Sequence, residues 1–352
     1  MKRLRPVPPV ETAEAPMAAR KRGHIEAVLS GRAQARHVDA GFEALRFEPC
    51  ALPELDLDAI DLSTRFLGKR LKLPFLISSM TGGQGGAERI NAALAEAAQA
   101  LGIALGVGSQ RIALAEGGRA GIDRSLRQRA PDIALYGNIG AAQLQRDFGS
   151  ADLQRVLAMI EADALIVHLN PLQEALQQAG DTDWSGLLGR IDALCRALPV
   201  PVIVKEVGFG ISAPVARRLA DCGVAAIDVA GAGGTSWSAV EGALSSDPQR
   251  AALAELFRDW GIPTATALRE VRAALPTLPL IGSGGIRSGL DAAKAIRLGA
   301  DLVGQAGALL QAAVDGPEAV LAHFAQLDAA LRLTCFATGA RDLAALKQVR
   351  LL

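Results

Sequence analysis

The stretch His168-Leu169-Asn170-Pro171-Leu172-Gln173-Glu174 places four side chains able to carry protons, donate hydrogen bonds or ligate a cation directly behind an apolar run, Ala164 to Val167. A run of that kind reads as a buried strand. His168 and Asn170 are two apart, so on a strand they share a face. Pro171 ends the strand, and Gln173 and Glu174 are then expected on a loop. A lone histidine is usually satisfied by backbone and a lone glutamate by solvent. Packing gives little reason for all four together, whereas chemistry on a charged or metal-bound substrate does. One carboxylate completed by phosphate oxygens and water is an ordinary Mg²⁺ environment. Zinc is not expected, because no HxxxH or Cys cluster accompanies it.

Composition narrows the classes. The chain has 352 residues, is 50% hydrophobic, and balances 37 Lys+Arg against 37 Asp+Glu. A zero net charge lacks the basic footprint of a nucleic-acid binder. The four cysteines are scattered with no CxxC pair, which suits a reducing compartment. No apolar run is long enough to span a bilayer, and residues 1–19, with Pro6, Pro8, Pro9 and Pro16, read as a loose arm instead of a signal peptide. A soluble cytoplasmic protein, with no nucleic-acid or membrane partner, is expected.

From Leu73 onward, short aliphatic runs alternate with longer amphipathic ones. The short runs are Pro74–Met80, Ile103–Gly108, Ile133–Gly140, Ala164–Asn170, Val202–Val207, Ala225–Gly231, Leu280–Ile286 and Asp301–Gly307. Eight such runs with helices between them predict a (β/α)8 TIM barrel, one domain over residues 20–352. Ile262–Thr266 is assigned to a connection, not to a ninth strand. An open doubly wound sheet is disfavoured because the glycines gather late in the chain, not after the first strand. No internal repeat stands out as a motif. Residues 20–70 are expected to cover one end of the barrel, and Glu318–Leu352 to add a C-terminal helical extension outside it.

Polar or glycine-rich residues follow every strand-like run, as in Ser78-Ser79-Met80-Thr81, Ser109-Gln110-Arg111 and Gly137-Asn138. In this fold the C-terminal ends of the strands line one pocket. Gly282-Ser283-Gly284-Gly285-Ile286-Arg287 would let backbone N–H groups approach an anion, with the helix beginning near Ser288 aiming its positive end there. The Gly304-Gln305-Ala306-Gly307 turn would complete that cradle. Lys205 closes an apolar strand. It could snorkel outward, but its polar neighbours favour a cation facing an electron-rich ring or a phosphate. Arg20-Lys21-Arg22-Gly23-His24 reads as a solvated arm unless it folds over the pocket to meet anionic oxygens.

These residues resemble the type 2 isopentenyl-diphosphate isomerases over nearly the whole chain, from Arg20 to about Arg341. The most specific match is His168-x-Asn170-Pro171-x-Gln173-Glu174. Arg20-Lys21-x-x-His24, Met80-Thr81-Gly82-Gly83, Gly108-Ser109-Gln110-Arg111 and Gly233-Gly234-Thr235-Ser236-Trp237 support it. The resemblance implies a barrel using FMN in its reduced form, Mg²⁺, and NADPH as flavin reductant. It implies flavin contacts from Ser79, Met80, Thr81, Ser109, Asn138, Lys205 and Thr235, with the phosphate on Gly285, Ile286, Arg287, Ala306 and Gly307. It also implies substrate diphosphate on Arg20, Lys21, Ser109, Gln110 and Arg111. Gln173 would lie beside the isoprenoid, with His168 and Asn170 shaping the catalytic pocket and Glu174 on the metal. A homo-oligomer, tetramer or octamer, is expected. Two departures stand out: Gly23 where an acidic residue is common, and Ala230 where a serine often meets the flavin.

The implied reaction moves a double bond, converting isopentenyl to dimethylallyl diphosphate and back. The alternative on the same barrel is an FMN-dependent 2-hydroxyacid oxidoreductase. It needs a late His–Arg pair; Arg287 is present, but no histidine lies between His168 and His323.

Overall fold

Eight parallel strands close into a barrel in chain order, the last pairing with the first. A computed structural model describes residues 23–80, 87–115, 121–146 and 149–352. The hairpin is β1 (Thr64–Phe66) and β2 (Lys69–Leu71). The barrel strands are β3 (Phe75–Ile77), β4 (Ala104–Gly106), β5 (Leu135–Gly140), β6 (Ala164–Leu169), β7 (Val202–Glu206), β8 (Ala226–Asp228), β9 (Leu280–Ser283) and β10 (Leu302–Gln305). Each lies inside one of the eight expected runs. Residues 262–266 form no barrel strand: Pro263 makes an isolated bridge to Ala232, and Thr264 opens the helix Thr264–Ala274.

The two-residue period of a strand explains how the sequence builds a site on this frame. Leu76, Tyr136, Ile166, Ile203, Ala226 and Ile281 pack together inside the barrel. Two residues further along the same strands come Ser78, Asn138, His168, Lys205, Asp228 and Ser283. An apolar layer is thus followed by a polar one at the C-terminal end. The register pairs His168 with Lys205 and Lys205 with Asp228, so these three stand side by side.

The segment before the barrel covers both ends, not one. Phe66 and Leu71 of the hairpin join the inner apolar cluster and plug the N-terminal end. Residues 23–29 form a helix over the C-terminal end. The helices Pro317–Ala337 and Leu343–Leu346 pack outside, as expected. Among the described residues no helix is long and apolar enough to cross a membrane. The expected arm at residues 1–19 lies outside the described residues.

A repeat that the sequence conceals appears at the N-terminal end. Arg127 donates to the carbonyls of Ala130, Pro131, Ile133 and Glu161 and to Asp163, whose Oδ2 also accepts the Leu135 N–H. Arg272 does the same with Leu275, Pro276, Leu278, Gly299 and Asp301, whose Oδ2 accepts from Leu280. The two clamps precede β5 and β9, the third and seventh barrel strands, half a barrel apart. A lysine, Lys69 or Lys347, completes each. Burial alone would raise the Asp163 carboxyl. The Leu135 N–H, Lys69 and Arg127 outweigh it and hold the carboxyl below its usual range.

A group with a depressed folded pKa stabilises above its unfolded pKa and loses that contribution as pH falls through the folded value. Asp163→Asn is therefore expected to cost about 1–3 kcal/mol at pH 7. The gap to the parent should close as pH drops below about 4, as followed by denaturant unfolding. A gap independent of pH would assign the effect to packing instead of charge.

Candidate active site

The inward polar layer is the floor of a cavity of about 700 Å³. Its roof is the 23–36 segment, tied down by main-chain bonds from Ala35 N to Gly234 O (3.2 Å) and from Ser236 N to Ala33 O (2.7 Å). The His24 ring meets Trp237 edge-on, 5.2 Å between centroids. Gly23 lies so close to Leu244 that a Cβ there would come within 2.5 Å of its Cδ2. The missing acidic side chain thus coincides with a tight apolar contact.

The opening heptad differs from expectation in one respect. Pro171 does not lead into a loop; it is the first residue of the helix Pro171–Leu176, with Asn170 at the N-cap. Proline's fixed φ and absent N–H suit that position. The consequence is chemical, because residues three and four apart on a helix meet. Asn170 Nδ2 donates to Gln173 Oε1 (3.1 Å) and Glu174 Oε1 (2.9 Å). Glu174 Oε2 accepts from Asp181 N at 2.9 Å. Gln173 Nε2 donates to Glu241 Oε1 at 2.9 Å, and Gln177 Nε2 to the same oxygen at 3.2 Å. Asn170, Gln173 and Glu174 all line the cavity.

Across the floor, His168 Nδ1 lies 2.9 Å from Asn138 Oδ1. Asn138 Nδ2 is committed to Val107 O at 3.1 Å. Its oxygen therefore accepts, and the imidazole proton sits on Nδ1. Lys205 points inward and is buried, its Nζ donating to Glu206 O. The neighbouring carboxylate beneath is Asp228. Burial raises its pKa, Lys205 opposes the rise, and Ser283 Oγ donates to Oδ1 at 2.6 Å.

The loop expected to cradle an anion offers its free donors from a different place than the helix start. Arg287 N and Ser288 N both donate to Asp291 Oδ2, and Ser288 Oγ caps Asp291 N. The start of the helix Gly289–Arg297 is satisfied by its own capping box. Among the described residues no acceptor takes the N–H of Gly285 or Ile286, one turn earlier, or of Gly307, just past β10. Thr264 Oγ1 holds Gly284 O at 2.7 Å, and Arg287 reaches Gly233 O at 3.3 Å. Cradle residues Gly285, Ile286, Arg287, Ala306 and Gly307 border the cavity, as do Thr235, Ser109, Arg111, Ser79 and Met80.

Gln110 is the correction. Its side chain is fully buried away from the cavity, donating to Val156 O (2.9 Å) and accepting from Asn138 N (2.9 Å). It fastens the Asn138 strand end from behind and cannot reach a substrate in this position. Arg20, Lys21 and Thr81 lie outside the described residues.

Glu241, Asp228 and Thr264 are not among the expected site residues, yet each bonds or adjoins one of the groups at the cavity. Glu241 had a signal: it stands four residues after Trp237 on a helix leaving a strand-end loop. Thr264 had none, since it reaches the cradle from another connection. Among the described residues no cluster of three His, Cys, Asp or Glu could hold a metal by itself.

Residues 13–123 and 155–351 match the family described as FMN-dependent dehydrogenase. The isopentenyl-diphosphate delta-isomerase of Xanthobacter autotrophicus is 64% identical over 332 residues, 94% of this chain and 96% of that one. The protein of that name from Stutzerimonas stutzeri is 60% identical, over 96% and 97%. Among solved structures, a mutant flavocytochrome b2 with pyruvate bound has a TM-score of 0.67 at 16% identity, over 94% of this chain and 82% of that one. A mandelate oxidase mutant with the monooxide FMN adduct reaches 0.66 at 18%, over 95% and 99%. At such identities the likeness is one of fold.

Proposed function

The chain belongs to the FMN-dependent dehydrogenase family, among the isopentenyl-diphosphate delta-isomerases, and from that premise we propose that it interconverts isopentenyl and dimethylallyl diphosphate in isoprenoid biosynthesis, using reduced FMN. The observation that carries this reading is that two differently built regions open onto one cavity. One is the amide cradle at Gly285, Ile286 and Gly307, suited to a flavin phosphate. The other is the Asn170–Gln173–Glu174 cluster, suited to a metal-bound diphosphate and its alkene. Ser79 Oγ and Asn170 Oδ1 are buried at this cavity without a hydrogen-bond partner among the described residues. Such atoms are costly unless a ligand or water completes them.

The reaction adds a proton at the terminal methylene and removes one from C2, through a state resembling a tertiary carbocation. Bound reduced FMN supplies an electron-rich ring and a nitrogen able to donate and accept protons. The chain's own residues position and enclose. Lys205, Asn138 and Thr235, which line the cavity, would hold the flavin. Gln173 has both ends of its amide held, so it presents a fixed polar edge to the isoprenoid. His168 and Asn170 shape the wall beside it. Glu174 would hold Mg²⁺, with diphosphate and water supplying the other oxygens. Arg111 and Ser109 take the diphosphate, joined by Arg20 and Lys21; His24 and Ile25, just beyond them, line the cavity and support this placement. NADPH would be needed only to reduce the flavin beforehand.

We read the enzyme as a cytoplasmic homo-oligomer, a tetramer or octamer. Four free cysteines support a reducing compartment. Leu256 at 81% and Trp260 at 59% exposure support self-association. Against 2-hydroxyacid oxidation, His323 stands on an outer helix and bonds Gln305 instead of facing the cavity. Incubation with isopentenyl diphosphate, Mg²⁺ and reduced FMN in D₂O is expected to give deuterated dimethylallyl diphosphate. A flavoprotein that forms none, or that oxidises 2-hydroxyacids instead, overturns the proposal.

A further inference from the structure

His323 belongs to the helix Pro317–Ala337, outside the barrel, and plays no part in the chemistry described above. Its Nε2 nevertheless lies 2.6 Å from Gln305 Oε1. Gln305 ends β10, is 3% exposed and borders the cavity. Its Nε2 donates to Ile286 O at 3.1 Å, and its main-chain oxygen accepts from Ser78 N at 2.8 Å. The other end of the Ile286–Arg287 peptide is also gripped, because Arg287 N donates to Asp291 Oδ2 at 3.1 Å. With Thr264 Oγ1 on Gly284 O, the loop is pinned on both sides of the amides of Gly285 and Ile286.

A glutamine amide has two ends of nearly equal shape and can turn over. The Ile286 carbonyl, which can only accept, decides between them. The Gln305 NH₂ faces it, so the Gln305 oxygen faces His323 and the ring donates from Nε2 to hold it there. Burial pushes the His323 pKa down, which favours a neutral ring with a single N–H. The ring is held edge-on to Phe324, which packs on Phe75 of β3.

We infer that His323 is a positioning residue for the flavin phosphate: acting through Gln305, it fixes the Ile286 carbonyl and so aims the Gly285 and Ile286 N–H groups at the anion. This rests on the FMN reading of the cavity but not on the isomerase reaction, because its readout is flavin binding without turnover.

Apoprotein titrated with FMN and, separately, with riboflavin distinguishes the phosphate from the ring. In His323→Leu, FMN affinity is expected to fall roughly tenfold, while riboflavin affinity stays within about twofold. His323→Gln, whose amide nitrogen can stand where Nε2 does, should recover most of the loss. Gln305→Met, which cuts the same relay at its middle, should reproduce the FMN-selective loss if His323→Leu fails to fold. Equal weakening of both flavins, unchanged FMN binding, or a His323→Gln variant no better than His323→Leu overturns the assignment.

Discussion

Glu174→Gln is expected to lower turnover by about 10²–10³-fold, the several kcal/mol that a bound cation supplies to developing charge, and to leave FMN in place. The carboxylate is held by two donors, Asn170 Nδ2 on Oε1 and Asp181 N on Oε2. It keeps lone pairs for a cation and sets its negative charge on the cavity wall. An amide in its place accepts at one end only. Its NH₂ must then confront either Asn170 or the Asp181 N–H, and the charge is gone. Steady-state assays across a Mg²⁺ titration should show a raised Mg²⁺ requirement alongside the fall in kcat. Flavin absorbance should be unchanged. Loss of FMN would place Glu174 against the flavin, and an unaltered Mg²⁺ dependence would remove it from the metal.

Gly284→Ala should yield a nearly colourless protein. Gly284 has φ +99°, and a Cβ there would stand 2.1 Å from Gly231 O and 2.7 Å from Gly231 N. These are main-chain atoms just past the end of β8, and they have no rotamer to move into. The backbone strain alone is about 1–3 kcal/mol, before the collision is counted. Relief would require the loop to leave Thr264, which holds its carbonyl, and would carry the amides of Gly285 and Ile286 away from the phosphate. A loss of about 3 kcal/mol corresponds to FMN binding weaker by more than about 100-fold. The flavin-to-protein absorbance ratio after purification, followed by FMN titration, measures it. A variant that retains stoichiometric FMN would show that this turn does not shape the cradle.

The two substitutions differ in how their basis could be read. Glu174 stood out because four polar residues crowd the end of an apolar run. Gly284 stood out only as one glycine in a common kind of turn, and its necessity comes from Gly231, which approaches from a different strand. Gln110 marks the limit of motif reading. It lies between Ser109 and Arg111, both of which border the cavity, yet successive side chains leave a chain in different directions. Its own goes into the packing under the Ser150–Ile160 helix. Pro171 shows the same limit locally, since one residue type both ends a strand and begins a helix. The paired clamps of Arg127 and Arg272 escaped notice because their shared positions are few and are spent mostly on main-chain carbonyls, which any residue provides.

Local pattern alone determined the eight strands, their burial on both faces, and the change from an apolar layer to a polar one two residues later. Each of these follows from periodicity along a single stretch of chain. Tertiary structure decided which of those polar groups meet. Glu241 reaches Gln173, and Asp228 lies beside Lys205. Thr264 grips Gly284, and His323 reaches the cradle from outside through Gln305. A hydrogen bond depends on a distance of about 3 Å and on an angle. Between residues far apart in sequence, both are set only when the barrel closes.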